Sequence, residues 1–328
     1  MSFRCATLLL RSVCMSALVS ETCAGKTPDC AKYKDVLPEG FLGVSAVPAN
    51  RPFCIYLHDQ VHDSWLSKTI ATTGRLHALE EDFIEQAINS VLNARATKSR
   101  FSHSNCVHVL DIGGNIGWMA LFAASVDERV CVTVVEPSSW HNTLLNSTIR
   151  LNNLGSRVHL IKALVGKEPG SDQCMLPDPR NGASTEVRSD LDAAKCAQQG
   201  GVMAPSTTID QILASSPFGK KVHVMKMDTE GFEPFALAGA GEMMKKPPTF
   251  VCMEWIGWRI TKMQRKLDPV QWLNLMFPPQ NWSRAVAWGP SDEAGVARWL
   301  ADWPSHQGGD LLMRRLTNGP RRVGAATL

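Results

Sequence analysis

At 328 residues, 44% hydrophobic and 20% charged, the chain can bury a full core, either as one large domain or as one domain with a cap. A net charge of +3 is too mild to argue for nucleic acid, and no dense Lys/Arg block with interleaved aromatics appears. The composition is that of a soluble globular protein.

Residues 1–24 stand apart. Arg4 and Arg11, the absence of acids through Ser20, a broken apolar stretch from Ala6 to Val19 and a small-residue Thr22-Cys23-Ala24 site predict a leader, not a membrane span. The expected location is the secretory pathway. Arg11 interrupts the apolar stretch, so an organelle transit peptide or an unprocessed cytoplasmic chain stays open. Residues 25–100 read as an N-terminal cap region, with an amphipathic helix from Gly74 to Arg95 carrying Leu76, Leu79, Phe83, Ile84, Ala87, Ile88 and Val91 on one side. Within it, His58-Asp59-x-x-His62-Asp63 has a metal-like spacing, but it lacks the glutamate of a zinc protease and reads as a solvated loop or helix start; no metal is expected.

Residues 101–328 read as the main domain. Val107 to Leu110 is a buried strand running into the turn Asp111-x-Gly113-Gly114-Asn115-x-Gly117, after which the periodicity turns helical. Strand, glycine turn and helix together form a cradle for a small ligand, held by backbone at a helix N-terminus. A dinucleotide site would need glycine at the position of Asn115, and an acid at the strand end, Asp111, suits a cationic ligand better than a diphosphate. The next strand, Val130 to Val135, ends in Glu136, placed to bind ribose hydroxyls.

A helix from Ser138 to Asn153 and a third strand from Arg157 to Leu164 follow, with Ala163 near its tip. The polar segment 165–205 is expected to be an inserted loop or lid, with Cys174 and Cys196 placed to close it by a disulfide in an oxidising lumen. Cys106, Cys131 and Cys252 read as buried thiols. Further on come a helix from Thr208 to Ser215, a strand from Lys221 to Asp228, a helix from Phe235 to Met244 and a strand from Thr249 to Glu254. Two last strands, Arg284 to Trp288 and Asp310 to Leu316, flank a helix over Glu293 to Asp302. This alternation predicts an α/β fold, a doubly wound, seven-stranded and mostly parallel sheet behind a small helical cap. Seven of the ten tryptophans fall between Trp255 and Trp303 and read as core, with a sugar-stacking floor as the alternative.

In such a sheet, ligands occupy the crevice beyond the strand ends. That places Asp228 and Glu230, with Glu254 from the next strand, at the reacting centre. Asp228 is expected to act as base toward an attacking hydroxyl and Glu230 to position it, while Lys226, on the same face as Asp228, pairs with a carboxylate.

The run Val-Leu-Asp111-Ile-Gly113-Gly114-Asn115-Ile-Gly117-Trp, then Val-Glu136-Pro137, then Lys226-Met-Asp228-Thr-Glu230-Gly231 and Val251-Cys-Met-Glu254, resembles class I S-adenosylmethionine-dependent methyltransferases. Within them it resembles the FkbM family, over about residues 50 to 260. The resemblance implies methyl transfer from S-adenosylmethionine, usually to an oxygen of a sugar or secondary metabolite, hence a small-molecule or glycan acceptor. It further implies that the first motif holds the methionine end of that cofactor, that Glu136 with Pro137 holds the ribose, and that Ala163 lies by the adenine. Two alternatives remain at this level: a cofactor-binding pseudoenzyme on the same fold, and a nicotinamide oxidoreductase, which Asn115 disfavours.

Overall fold

In a computed structural model, residues 30, 40–44, 52–58, 63, 65–95, 105–170, 172–178, 181–188, 191–263, 267–305 and 308–316 are described. The expected leader, and Asp59 and His62 of the two-histidine motif, lie outside them.

The chain begins with an antiparallel pair, β1 (Gly40–Val44) and β2 (Cys54–His58), followed by α1 (Leu66–Thr73) and α2 (Ala78–Arg95). Asp63 starts α1, its two oxygens accepting the Leu66 and Ser67 N–H groups at 2.9 and 2.8 Å. The helix expected from Gly74 to Arg95 is α2, which starts at Ala78; α1, which ends at Gly74 with φ 65°, was not expected. The alternating core elements follow as β3 (Val107–Ile112), α3 (Trp118–Val126), β4 (Val130–Val135), α4 (Ser139–Leu151) and β5 (Val158–Ile161).

Segment 165–205 is not a loop. After β6 (Leu164–Val165) it forms its own antiparallel sheet from β7 (Gln173–Asp178), β8 (Asn181–Arg188) and β9 (Val202–Ala204), with α5 (Ala193–Gln198) between the last two strands. The expected Cys174–Cys196 disulfide is present and ties α5 to β7. The chain returns through β10 (Ser206–Thr207), paired with β6, to α6 (Ile209–Ser215) and β11 (Val224–Met227). The helix expected over 235–244 is two helices, α7 (Glu233–Ala238) and α8 (Gly241–Lys245). Then come β12 (Phe250–Trp255), the unanticipated α9 (Gly257–Met263) and α10 (Pro269–Met276), β13 (Trp282–Val286), α11 (Glu293–Ala301) and β14 (Gly309–Arg315).

Seven strands form the central sheet in the order β13-β14-β12-β11-β3-β4-β5, parallel except at β14, which is antiparallel to both neighbours. The doubly wound sheet expected from the sequence is therefore present. Alternate residues of each strand enter different cores. Val107, Val109, Val224 and Cys252 pack with α2 and α3, whereas Leu110, Ile112, Met225, Met227, Val251 and Met253 pack with α6, α7 and α10. Trp255, Trp272 and Trp282 are buried in this second core, as the core reading expected, but Trp258 and Trp288 are exposed.

Cys106 and Cys131 are not free thiols. The register that pairs Val107 with Val130 brings them to a Cα separation of 5.8 Å, and they form a disulfide; Cys30 and Cys54 form another. Cys252 is a buried free thiol, as expected.

Candidate active site

Two strand tips are locked together at the centre of the sheet. The Asp228 N–H donates to the Ile112 carbonyl at 2.9 Å, and the Asp228 carbonyl lies where a Gly113 side chain would begin; a Cβ there would be 1.8 Å from that oxygen. With φ of 82°, Gly113 answers two constraints at once, a left-handed backbone and a backbone contact. The Gly113 and Gly114 N–H groups both donate to the Val135 carbonyl, at 2.9 and 3.0 Å. The turn between β3 and α3 is therefore fixed by both neighbouring strands.

A cleft of about 170 Å³ opens over these tips. It is lined by Asp111, Gly113, Gly114, Asn115, Glu136, Pro137 and Ala163, and by Asp228, Glu230 and Glu254. Gly117 is the one expected site residue outside the lining. It starts α3 with φ 95°, and a Cβ there would be 2.1 Å from the Leu145 side chain, so packing accounts for it.

Asp111 is 1% exposed, and neither of its carboxylate oxygens has a hydrogen-bond partner at ordinary distance. Burial raises its pKa to about 6; the Lys226 charge opposes the shift, and Asp228 and Glu136 add to it. A buried carboxylate without a partner is costly unless a donor arrives with the ligand. Glu136 is already engaged. Its Oε2 accepts the Asn115 N–H at 2.8 Å, and its Oε1 accepts the Ser138 N–H at 2.8 Å and lies 3.3 Å from His141 Nδ1. Since a carboxylate has about four lone-pair sites, roughly one stays open toward the cleft.

Register explains the second cluster. Lys226 on β11 is level with Asp111 on β3 and Cys252 on β12, and one step further along the same face lie Asp228 and Glu254, with Glu254 directly opposite Asp310 on β14. The Lys226 ammonium donates to Asp228 Oδ2 at 2.8 Å, the pairing expected for this lysine. Burial alone would raise the Asp228 pKa, but Lys226 outweighs it and holds the carboxyl below its usual range. Glu254 goes the other way: burial, then Asp228, Glu233 and Asp310, push it well above the normal carboxylate range, so it keeps its proton. Burial, Asp228 and Glu80 raise Asp310 to about 7.

The Asp228-to-Gly231 turn is shaped by Glu233, which the sequence reading overlooked. Its Oε1 accepts the Thr229 N–H at 3.0 Å, the Thr229 hydroxyl at 2.9 Å and the Gly231 N–H at 3.3 Å. Glu230, in the left-handed region with φ 58°, pairs with Arg259.

Four other segments supply cleft residues that sequence reasoning missed: Trp65, His77 and Glu80 near α2, Thr185 and Val187 on β8, His141 on α4, and Asp310. The segment before α2 is anchored by buried Glu81, whose Oε1 accepts the Leu76 and His77 N–H groups, both at 3.0 Å, and the Trp118 indole at 2.8 Å. One signal for this wall was available: His77 and Glu80, three apart, open the amphipathic helix on its buried side. Asp310 could have been found as the acid at the tip of the last strand.

A sequence model described as the methyltransferase FkbM domain matches residues 111–276, half of the chain. No curated protein matches it. Among solved structures, the chain is similar to an O-methyltransferase of Bacillus cereus in complex with SAH, at 12% identity and TM-score 0.35, covering 79% of this chain and 99% of that one. It is also similar to a precorrin-6y C5,15-methyltransferase of Geobacter metallireducens, at 9% identity and TM-score 0.33, covering 71% of this chain and 86% of that one.

Proposed function

The chain belongs to the FkbM methyltransferase family, and on that premise we propose that it transfers a methyl group from S-adenosylmethionine to a hydroxyl of a small-molecule or glycan acceptor. The observation that carries the cofactor assignment is Asp111. Its two buried, unpartnered oxygens face a glycine-lined cleft and fit an ammonium group such as the methionine end of that cofactor provides. Glu136 retains roughly one lone-pair site for a ribose hydroxyl, and a second bond requires Asn115 or His141 to yield. Ala163 and Pro137 line the cleft beside Glu136 and suit the adenosine end.

When bound, the cofactor supplies a methyl carbon activated by its sulfonium. The protein's task is then to align an acceptor oxygen and to remove its proton. Asp228 is a third exposed, so it can accept a hydrogen bond from that hydroxyl. Lys226 makes it a weak base. A weak base suffices if the proton leaves late, because an alcohol oxygen becomes strongly acidic as its new bond to carbon forms. Glu254, protonated beside Asp228, stabilises that carboxylate as a hydrogen-bond donor. Glu230 shapes the turn through Arg259 and acts by positioning.

Disulfides Cys30–Cys54, Cys106–Cys131 and Cys174–Cys196 support work in an oxidising compartment such as the secretory pathway. Among the described residues no helix is long and apolar enough to cross a membrane.

Calorimetry with S-adenosylhomocysteine and with NAD tests the cofactor, and mass spectrometry of an alcohol panel for gain of one methyl group tests the reaction. S-adenosylhomocysteine should bind and NAD should not; the reverse overturns the proposal. Asp228→Asn should lower turnover about 10²–10⁴-fold, the usual contribution of a positioned proton acceptor, with cofactor affinity little changed. Unchanged turnover removes Asp228 from the mechanism.

A further inference from the structure

Beyond Asp228 the cleft has a wall that methyl transfer as such does not require. Glu80, in the first turn of α2, is 4% exposed, and its Oε2 is buried without a hydrogen-bond partner. A side-chain hydrogen bond joins Glu80 to Asp310, the cross-strand neighbour of Glu254. His77 Nδ1 lies 3.9 Å from Glu80 Oε2, and the His77 ring is 5.5 Å from Trp65, an indole 53% exposed on the same cleft.

Charge decides what this wall can hold. Glu80, Glu254 and Asp310 converge here, while the ammonium of the cleft, Lys226, is bonded to Asp228. Glu254 keeps its proton and Asp310 is raised to about 7, so the wall offers carboxyl oxygens and no free ammonium to pair a phosphate or carboxylate on the acceptor. A metal ion is a poorer fit than an amine, since no group of three or more His, Cys, Asp or Glu side chains suited to a metal occurs among the described residues. A protonated amine has three N–H donors for the carboxyl oxygens of Glu80 and Asp310 and a neighbour, releases the Asp310 proton to solvent as it binds, and is also stabilised by an aromatic face.

We infer that the methyl acceptor is an amine-bearing alcohol, of the amino alcohol or amino sugar class, whose ammonium bridges Glu80 and Asp310 in place of their direct hydrogen bond while its body packs on Trp65. This rests on the methyltransferase reading of the same cleft. The ammonium is a recognition handle; the methylated atom is the hydroxyl presented to Asp228. The wall thereby sets specificity, accepting cations, tolerating neutral polyols weakly and rejecting anions.

The test uses the full chain saturated with S-adenosylhomocysteine, titrated calorimetrically with matched triplets: ethanolamine, ethylene glycol and glycolate; then glucosamine, glucose and glucuronate. In at least one triplet the amine should bind about tenfold or more tighter than its neutral partner, the scale of one charge-assisted hydrogen bond, and the anion weakest. Glu80→Gln and Asp310→Asn should each remove most of that preference. Because members of a triplet are compared within one variant, a folding defect shows as loss of every ligand, S-adenosylhomocysteine included, and the wild-type preference then decides alone. No preference for the amine in either triplet overturns the inference, as does a preference that survives in both variants. Amine binding to the cofactor-free protein that vanishes on saturation also overturns it, because the wall then serves the cofactor's own ammonium. In each of these cases S-adenosylhomocysteine still binds the wild type, so the methyltransferase reading stands or falls separately.

Discussion

The two ends of the cleft are built on opposite plans. The donor end is centred on one contiguous run, Asp111 to Gly117, with Glu136, Pro137 and Ala163 beside it, and the shape of that run is dictated by backbone contacts to Val135 and Asp228. The other end draws side chains from five separate places: Trp65 to Glu80, β8, the turn after β11, β12 and β14. Gly113 tolerates no side chain, because its neighbour is main chain and cannot turn away, whereas Gly114 and Gly117 face the side chains of Val134 and Leu145. A side-chain-built site depends instead on charge balance, which single substitutions shift by degrees.

The sharpest way to break the donor end is Gly113→Ala. The new Cβ would fall 1.8 Å from the Asp228 carbonyl at a φ of 82°, so β3 and β11 must separate at their tips. We expect destabilisation of about 3 kcal/mol or more, from strain and overpacking together, and loss of S-adenosylhomocysteine binding. Gly155→Ala is the control, with nothing within 4 Å of its Cβ, and should change the denaturation midpoint little. Equal midpoints for the two variants would show that the turn is not held as described.

The same contrast governs how much was legible in the sequence. The β4 strand, Val130–Val135, matches the sequence reading residue for residue, because a short, mostly apolar run between two helices has one reasonable fate. The inserted sheet reads as a loop in the sequence because β7 and β8 lie in polar sequence. Its strands carry no long apolar alternation, and the Cys174–Cys196 disulfide does part of the work of a core. Cys106 and Cys131 looked like ordinary core thiols, since their pairing exists only once β3 and β4 are in register. His77, Glu80 and Asp310 were missed for a related reason. Each is an unremarkable polar residue in its own segment, and they become a cluster only when the sheet order places β14 beside β12 and α2 across the same face.

A smaller effect, and one that separates charge from shape, is expected at Asp111. Its pKa is about 6 in the fold against 3.8 for the free group, so the carboxylate binds a cation only above that range. As pH falls through 6 the group takes a proton, and S-adenosylhomocysteine affinity should drop by about tenfold per pH unit. Asp111→Asn should weaken binding by about 10–100-fold at pH 7.5 and abolish that pH dependence. Stability should move the other way. A raised carboxylate pKa means the fold pays for the charge above pH 6, by about 3 kcal/mol at most, and recovers it as pH falls toward 4. Asp111→Asn should therefore be more stable than wild type at pH 7.5 and lose that advantage near pH 4, as followed by urea unfolding. A variant less stable at both pH values would mean that Asp111 has a partner within the fold.

The mildest perturbation tests whether the two ends are independent. Thr185 and Val187 bring the inserted sheet to the cleft, and Val187 packs with Leu164 and Phe232. Removing the Cys174–Cys196 disulfide by a double serine substitution loosens that sheet without altering any residue of the donor end. Hydrogen exchange across residues 173–204 should rise, S-adenosylhomocysteine affinity should stay within about twofold, and affinity for the amine of the better triplet should fall about threefold, since only ordering of one wall is lost. A parallel fall in both affinities would mean that the inserted sheet also holds the donor turn. The backbone-built end would then owe its rigidity to the side-chain-built one, and the division between a fixed donor site and an adjustable acceptor site would fail.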